Sequence, residues 1–220
     1  KSQGKWIAFL DSDDTWYPEK LMIVNNFLKK NIDYDVICNN ELIIDKINNR
    51  KVVWKYGPYK SNFYELLIKY GNLVSTSASV VNKEYLLNNN FQFSEERNFA
   101  PYEDYDFWMR LAKNDAKFKF LNNVLGEHLF HQESWGSKNR LLCKKSNFYI
   151  LNYHVFNLQN FTSKNISLWS HVESRLKLDE LIESLVNKKY FKSLIYLINL
   201  LFKYPIKTIN NLFYRLKRKF

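Results

Sequence analysis

Three carboxylates crowd into four residues at Asp11-Ser12-Asp13-Asp14, directly after the apolar run Trp6-Ile-Ala-Phe-Leu10. Like charges this close raise one another's pKa unless a cation joins them. Hard carboxylate oxygens suit Mg2+ or Mn2+, which commonly bind through one or two carboxylates plus substrate phosphates. A metal held there would neutralise a departing diphosphate. The same residues also suit a plain turn ahead of the helix expected from Pro18.

A second acid pair, Glu103-Asp104, opens the next element that could do chemistry, just after Pro101. A helix N-terminus favours the ionised carboxylate and is expected to keep its pKa low. Such a group can accept a proton from an attacking hydroxyl, although acids at helix starts are common for stability alone. His131 follows a β-prone segment, where a neutral imidazole could ligate a metal or contact a diphosphate. A hydrogen-bonded loop histidine is the plainer alternative. His128, three residues earlier, is expected on the other face of the strand and outside the site.

The elements that must position these groups follow from hydrophobic periodicity. Residues 6–10 read as a central strand ending in the acid cluster, and Leu21, Val24, Phe27 and Leu28 recur at helical spacing. Residues 35–44 read as a second strand with a hairpin partner at 51–56. A helix over 61–70, a strand over 75–81 and a short helix from Lys83 follow. The segment 102–113 is expected to be helical, with strands near 117–121 and 124–130. Beyond about Ser137 helical periodicity dominates. Strands alternating with helices, then helices alone, predict an α/β domain over 1–140 and a helical extension over 141–220.

Composition bounds the function classes. With 46% hydrophobic, 17% aromatic and 25% charged residues in 220, the chain reads as a folded globular protein. Cys38 and Cys143 lack metal-ligand spacing and read as small buried hydrophobes in a reducing cytoplasm. No apolar run reaches the ~20 residues needed to cross a bilayer. The net charge is +11. No acidic residue follows Glu183, whereas Lys188, Lys189, Lys192, Lys203, Lys207, Arg215, Lys217, Arg218 and Lys219 do. No nucleic-acid motif accompanies this charge, so nucleic acid is not an expected partner.

Taken together, Lys5-Trp-Ile-Ala-Phe-Leu-Asp-Ser-Asp-Asp14, Tyr102-Glu-Asp-Tyr-Asp-Phe-Trp-Met-Arg-Leu111 and His131-Gln-Glu-Ser134 resemble the family 2 glycosyltransferases of GT-A fold. Ser75-Thr-Ser-Ala-Ser-Val-Val81 resembles the strand between that family's two acidic motifs. The resemblance covers about residues 1–137 and implies a partial GT-A domain, a Rossmann-like mixed sheet with flanking helices, followed by the helical extension. It implies a metal-dependent, inverting transfer from a nucleotide-sugar donor to a glycan or lipid-linked acceptor. Asp11 would contact the donor's ribose or the metal, Asp13 would be the principal metal ligand, and Asp14 would support the metal or the donor sugar. Asp104 would be the catalytic base, Glu103 would bind donor or acceptor, and His131 would lie at the metal and diphosphate. Mn2+ or Mg2+ is the implied cofactor. Family members begin with a nucleotide-binding half, so these residues are expected to be the later part of such a domain and inactive alone.

Two other readings stay open. Phe9-Leu-Asp-Ser-Asp-Asp-Thr15 also resembles the nucleophile loop of haloacid-dehalogenase-like phosphatases, with Asp11 as nucleophile. A non-catalytic membrane-surface adaptor is the other, built on residues 187–220. There Ile206, Ile209, Leu212, Phe213, Leu216 and Phe220 form an apolar stripe beside basic residues. Such a tail is compatible with a cytoplasmic enzyme peripheral to the inner face of the membrane. The same stripe could instead pack inward on the domain, leaving a solvated basic face.

Overall fold

The computed structural model describes residues 2–31, 33–158 and 164–219, with the backbone alone for Trp135 and 217–219. Phe220, the last member of the expected apolar stripe, lies outside the described residues. The strands are β1 (Trp6–Ala8), β2 (Thr15–Trp16), β3 (Val36–Asp45), β4 (Arg50–Trp54), β5 (Ser79–Asn82) and β6 (Phe118–Phe130). The helices are α1 (Lys20–Lys30), α2 (Phe63–Tyr70), α3 (Lys83–Asn88), α4 (Glu103–Lys113), α5 (Trp135–Lys138), α6 (Arg140–Asn152), α7 (Asn165–Val186), α8 (Tyr190–Lys203) and α9 (Pro205–Lys219). The architecture is the expected mixed α/β sheet followed by helices.

The sheet runs β1-β5-β3-β6-β2, with β4 also paired to β3. β3 and β6 are parallel and the other pairs are antiparallel. The centre is β3, whose residues Val36 to Glu41 are all buried, as a strand covered on both faces requires. β1 was expected there; it lies instead at an edge of the described sheet, paired with β5 and only half-buried. One strand, β6, replaces the two expected between 117 and 130. Its register against β3 shifts near Asn39 and Asn40, and that irregularity looks like a break in the sequence pattern.

Two compact units divide the chain. One comprises 1–64 and 72–150, and the other 65–71 and 151–218. In the first, Val24 and Leu28 of α1 pack with Ile37, Val80, Leu121 and Leu125 of the sheet. α4 forms because Pro101 precedes it, while Glu103, Asp104 and Asp106 fill its first turn and Arg110 and Lys113 its last, matching the helix dipole. Its Trp108, Phe107 and Met109 are fully buried. In the second unit, α7 and α8 pack through Leu178, Leu181 and Leu200.

Candidate active site

Phe9 follows β1 and precedes the acid cluster. Its ring stands edge-on to Phe107 and Trp108 of α4, with centroids 6.3 Å away in both cases. Such edge contacts add about 0.5–1.5 kcal/mol each beyond burial. They fix the end of β1 against the helix whose first turn carries Glu103 and Asp104.

The segment 72–79 ties the two acidic elements together. Asn72 Nδ2 donates to Asp104 Oδ2 at 3.1 Å, and Thr76 Oγ1 donates to the same oxygen at 3.3 Å. Ser77 Oγ, one residue on, accepts the Asp11 amide hydrogen at 3.0 Å. The Ser77 carbonyl accepts from Trp16 Nε1 at 2.7 Å and from Lys20 Nζ, which also lies over the Trp16 ring. Residues 75–78 were expected as strand. They form a turn because Ser79 Oγ donates to the Ser75 carbonyl and the Ser79 amide to that of Thr76, the local bonding by which Ser and Thr compete with a ladder.

The cluster itself divides. Asp11 and Asp13 are exposed, while Asp14 is buried. Both Asp14 oxygens, in a residue expected to serve the donor or metal, are engaged by β6: Leu129 N–H donates to Oδ1 at 3.2 Å and His128 Nδ1 lies 3.1 Å from Oδ2. His128 therefore does not point away from the site, as alternation along a regular strand suggests; it is the histidine bonded to the cluster. His131 is half-buried just past β6, and its carbonyl accepts the Ser134 and Ser137 hydroxyls at 2.8 and 2.9 Å.

Electrostatics follow from this placement. Partial desolvation of its carboxyl, then the neighbouring Asp14, pushes Asp11 up although the residue is exposed overall, partly offset by its hydrogen bond with Ser77. Burial would raise Asp14 too, but hydrogen bonds from His128, Ser77 and the Leu129 amide outweigh it and hold Asp14 below the usual range. The same bond raises His128. Asp104 departs from the expectation of a low pKa. It keeps some surface open, yet burial pushes it up to about 6, with Glu103 and Asp11 adding repulsion against the bonds from the Tyr105 amide and Thr76. Desolvation here outweighs the helix dipole.

Among the described residues no group of three or more His, Cys, Asp or Glu side chains is arranged to hold a metal. Mg2+ and Mn2+ need fewer protein ligands when donor phosphates complete their shell. Asp11 and Asp13 are both exposed and carry like charge, a donor set that suits such a cation. Glu103 contributes a buried Oε2 that has no hydrogen-bond partner among the described residues, an acceptor available to a substrate hydroxyl.

Lys20, Trp16 and Ser77 were missed from sequence, and His128 was considered and placed outside the site. The run Ser75-Thr-Ser-Ala-Ser79 was the signal available for Ser77. Nothing marks Lys20 as fully buried, where desolvation lowers its pKa to about 8.

Residues 1–86 match the family model described as glycosyl transferase family 2. This stretch, which contains the Asp11–Asp14 cluster, is thus similar to the family 2 glycosyltransferases, and the relatives that follow carry glycosyltransferase names. It is 26% identical over 171 residues to an uncharacterized glycosyltransferase of Methanocaldococcus jannaschii, covering 76% of this chain and 56% of that protein. Over 116 residues it is 34% identical to the UDP-Glc:alpha-D-GlcNAc-diphosphoundecaprenol beta-1,3-glucosyltransferase of Escherichia coli, covering 52% of this chain and 41% of that protein. The chain thus spans about half the length of these curated relatives.

Proposed function

We propose that the protein carrying this chain transfers a sugar from a nucleotide-sugar donor to a glycan or lipid-linked acceptor by a metal-dependent, inverting displacement. The observation that carries this reading is the shared segment 72–79, which holds Asp11 on one side and Asp104 on the other. Asp13 would be the principal ligand of a Mn2+ or Mg2+ ion, with Asp11 held for the donor's ribose or the metal and His131 for the metal or diphosphate. Asp14 serves donor binding from beneath, by fixing the turn to β6. The metal supplies Lewis-acid neutralisation of the diphosphate oxygens.

Asp104 takes the proton of the acceptor hydroxyl as that oxygen bonds to the anomeric carbon and the bond to the diphosphate breaks. A single displacement of this kind inverts the anomeric centre. Glu103 Oε2 orients a hydroxyl of donor or acceptor. Both relatives are named glycosyltransferases, and the second acts on a diphosphoundecaprenol-linked sugar; a similar lipid-linked acceptor is proposed here. The site faces the cytoplasm, with 187–220 as the segment that meets the inner face of the membrane.

Transfer assayed with Mn2+, with chelator, and in Asp13→Ala tests the reading. Loss under both treatments supports it, and unchanged transfer in Asp13→Ala contradicts the metal assignment. Turnover of p-nitrophenyl phosphate abolished by Asp11→Asn would favour the phosphatase instead.

A further inference from the structure

We infer that the outward faces of α8 and α9 dock on an anionic lipid surface. This deepens the membrane clause of the proposed function and rests on that clause, not on the transfer chemistry. A helix packed on a protein normally turns its apolar stripe inward, and α9 does the reverse. Thr208 and Asn211 of α9 are buried and bond to buried Ser174 of α7 at 3.1 and 3.3 Å. Lys207 bonds to Ser170, Arg215 pairs with Asp179, and Tyr204 bonds to Glu173, all toward α7. The apolar stripe is left outside: Ile206 is 72% exposed, Ile209 64% and Phe213 60%.

α8 joins α9 through Tyr204 alone and behaves alike. Ser193 and Leu200 are its buried residues, with Ser193 bonded to Ser184 of α7. Phe191, Leu194, Ile198, Leu201 and Phe202 remain exposed, Phe202 by 86%. Apolar surface on this scale, beside a charged rim, marks an interaction site. Helices of 14 and 15 residues are too short to span a bilayer, and no described helix is long and apolar enough to do so. Lying in the interface plane suits both.

Charge selects the occupant. No acid follows Glu183, and Lys188, Lys189 and Lys192 stand exposed at the start of α8. A second copy would bring the same cations together, whereas anionic headgroups attract them.

Flotation of the full 220-residue chain with phosphatidylglycerol–phosphatidylcholine vesicles, and with phosphatidylcholine alone, tests the inference. The chain should float with the anionic vesicles, and Ile209→Asp/Phe213→Asp should lower that partitioning about tenfold or more, with an unchanged circular dichroism spectrum because both positions face outward. Lys188→Glu/Lys189→Glu should weaken it as well. Asp104→Asn should float like the parent chain, so failure of the transfer reading leaves this result untouched. Absence of flotation, equal binding to neutral vesicles, or a lipid-free dimer that Ile209→Asp/Phe213→Asp dissolves would each overturn the inference.

Discussion

Asp11 and Asp104 hang from consecutive residues of one segment: Ser77 Oγ accepts the Asp11 amide at 3.0 Å, and Thr76 Oγ1 donates to Asp104 Oδ2 at 3.3 Å. Two acids remote in sequence are thereby set beside each other by neutral hydroxyls rather than by an ion pair. Removing one hydroxyl should loosen geometry more than it costs stability. Ser77→Ala is expected to lower kcat about five- to tenfold, the equivalent of one hydrogen bond of about 1 kcal/mol, with a smaller change in donor KM. Steady-state kinetics beside a thermal melt would separate the two effects.

The Asp104 carboxyl, pushed up to about 6 by burial and like charge, must be ionised to accept a proton. The rate at saturating substrate should therefore rise with pH and level off above about 6. In Thr76→Val, which removes a bond to the ionised form, the inflection should move to higher pH. A pH–rate profile of both proteins checks this, and an unmoved inflection would detach Asp104 from the rate.

Gly126 of β6 allows β2 to approach closely, because a Cβ there would sit 2.7 Å from the Thr15 carbonyl oxygen. Backbone cannot yield as a flexible side chain can. Gly126→Ala should displace β2 and with it Asp14, costing about 1–3 kcal/mol as overpacking does. Chemical denaturation would measure that loss.

In the second unit, His171 is buried and its pKa is lowered to about 4, first by desolvation and then by Lys69, Lys207 and Arg175. Its folded value lies below the unfolded one near 6.5, so the unfolded chain binds the extra proton between the two. Stability is fully present above about 6.5 and is lost progressively as pH falls toward 4, by roughly 3 kcal/mol. His171→Gln should flatten that part of the stability–pH curve.

The elements were largely legible because their periodicities are strong. Trp6–Ala8, Lys20–Lys30 and Glu103–Lys113 all lie within about two residues of where apolar spacing, Pro18 and Pro101 put them. What escaped depends on tertiary context. Sequence alone does not tell that β1 lies at the described edge, nor that β6 is one irregular strand that turns His128 toward Asp14. Lys20 reads as the first residue of a solvated helix, yet the Ser77 carbonyl and the Trp16 ring draw it inside. The low pKa expected of Asp104 followed from a local rule, the helix dipole, which burial overrode. The α9 stripe was equally readable as inward or outward. The Ser174–Thr208 contact, invisible to periodicity, turned it out.

The central claim is that Asp104 removes the proton from the acceptor while the acid cluster holds the donor. Measuring transfer rate and donor–Mn2+ affinity together in Asp104→Asn tests it most directly. The account predicts a fall in kcat of at least about 10²–10⁴-fold, the usual worth of a positioned base, with donor affinity within a few-fold of the parent. A kcat retained within a few-fold would contradict it.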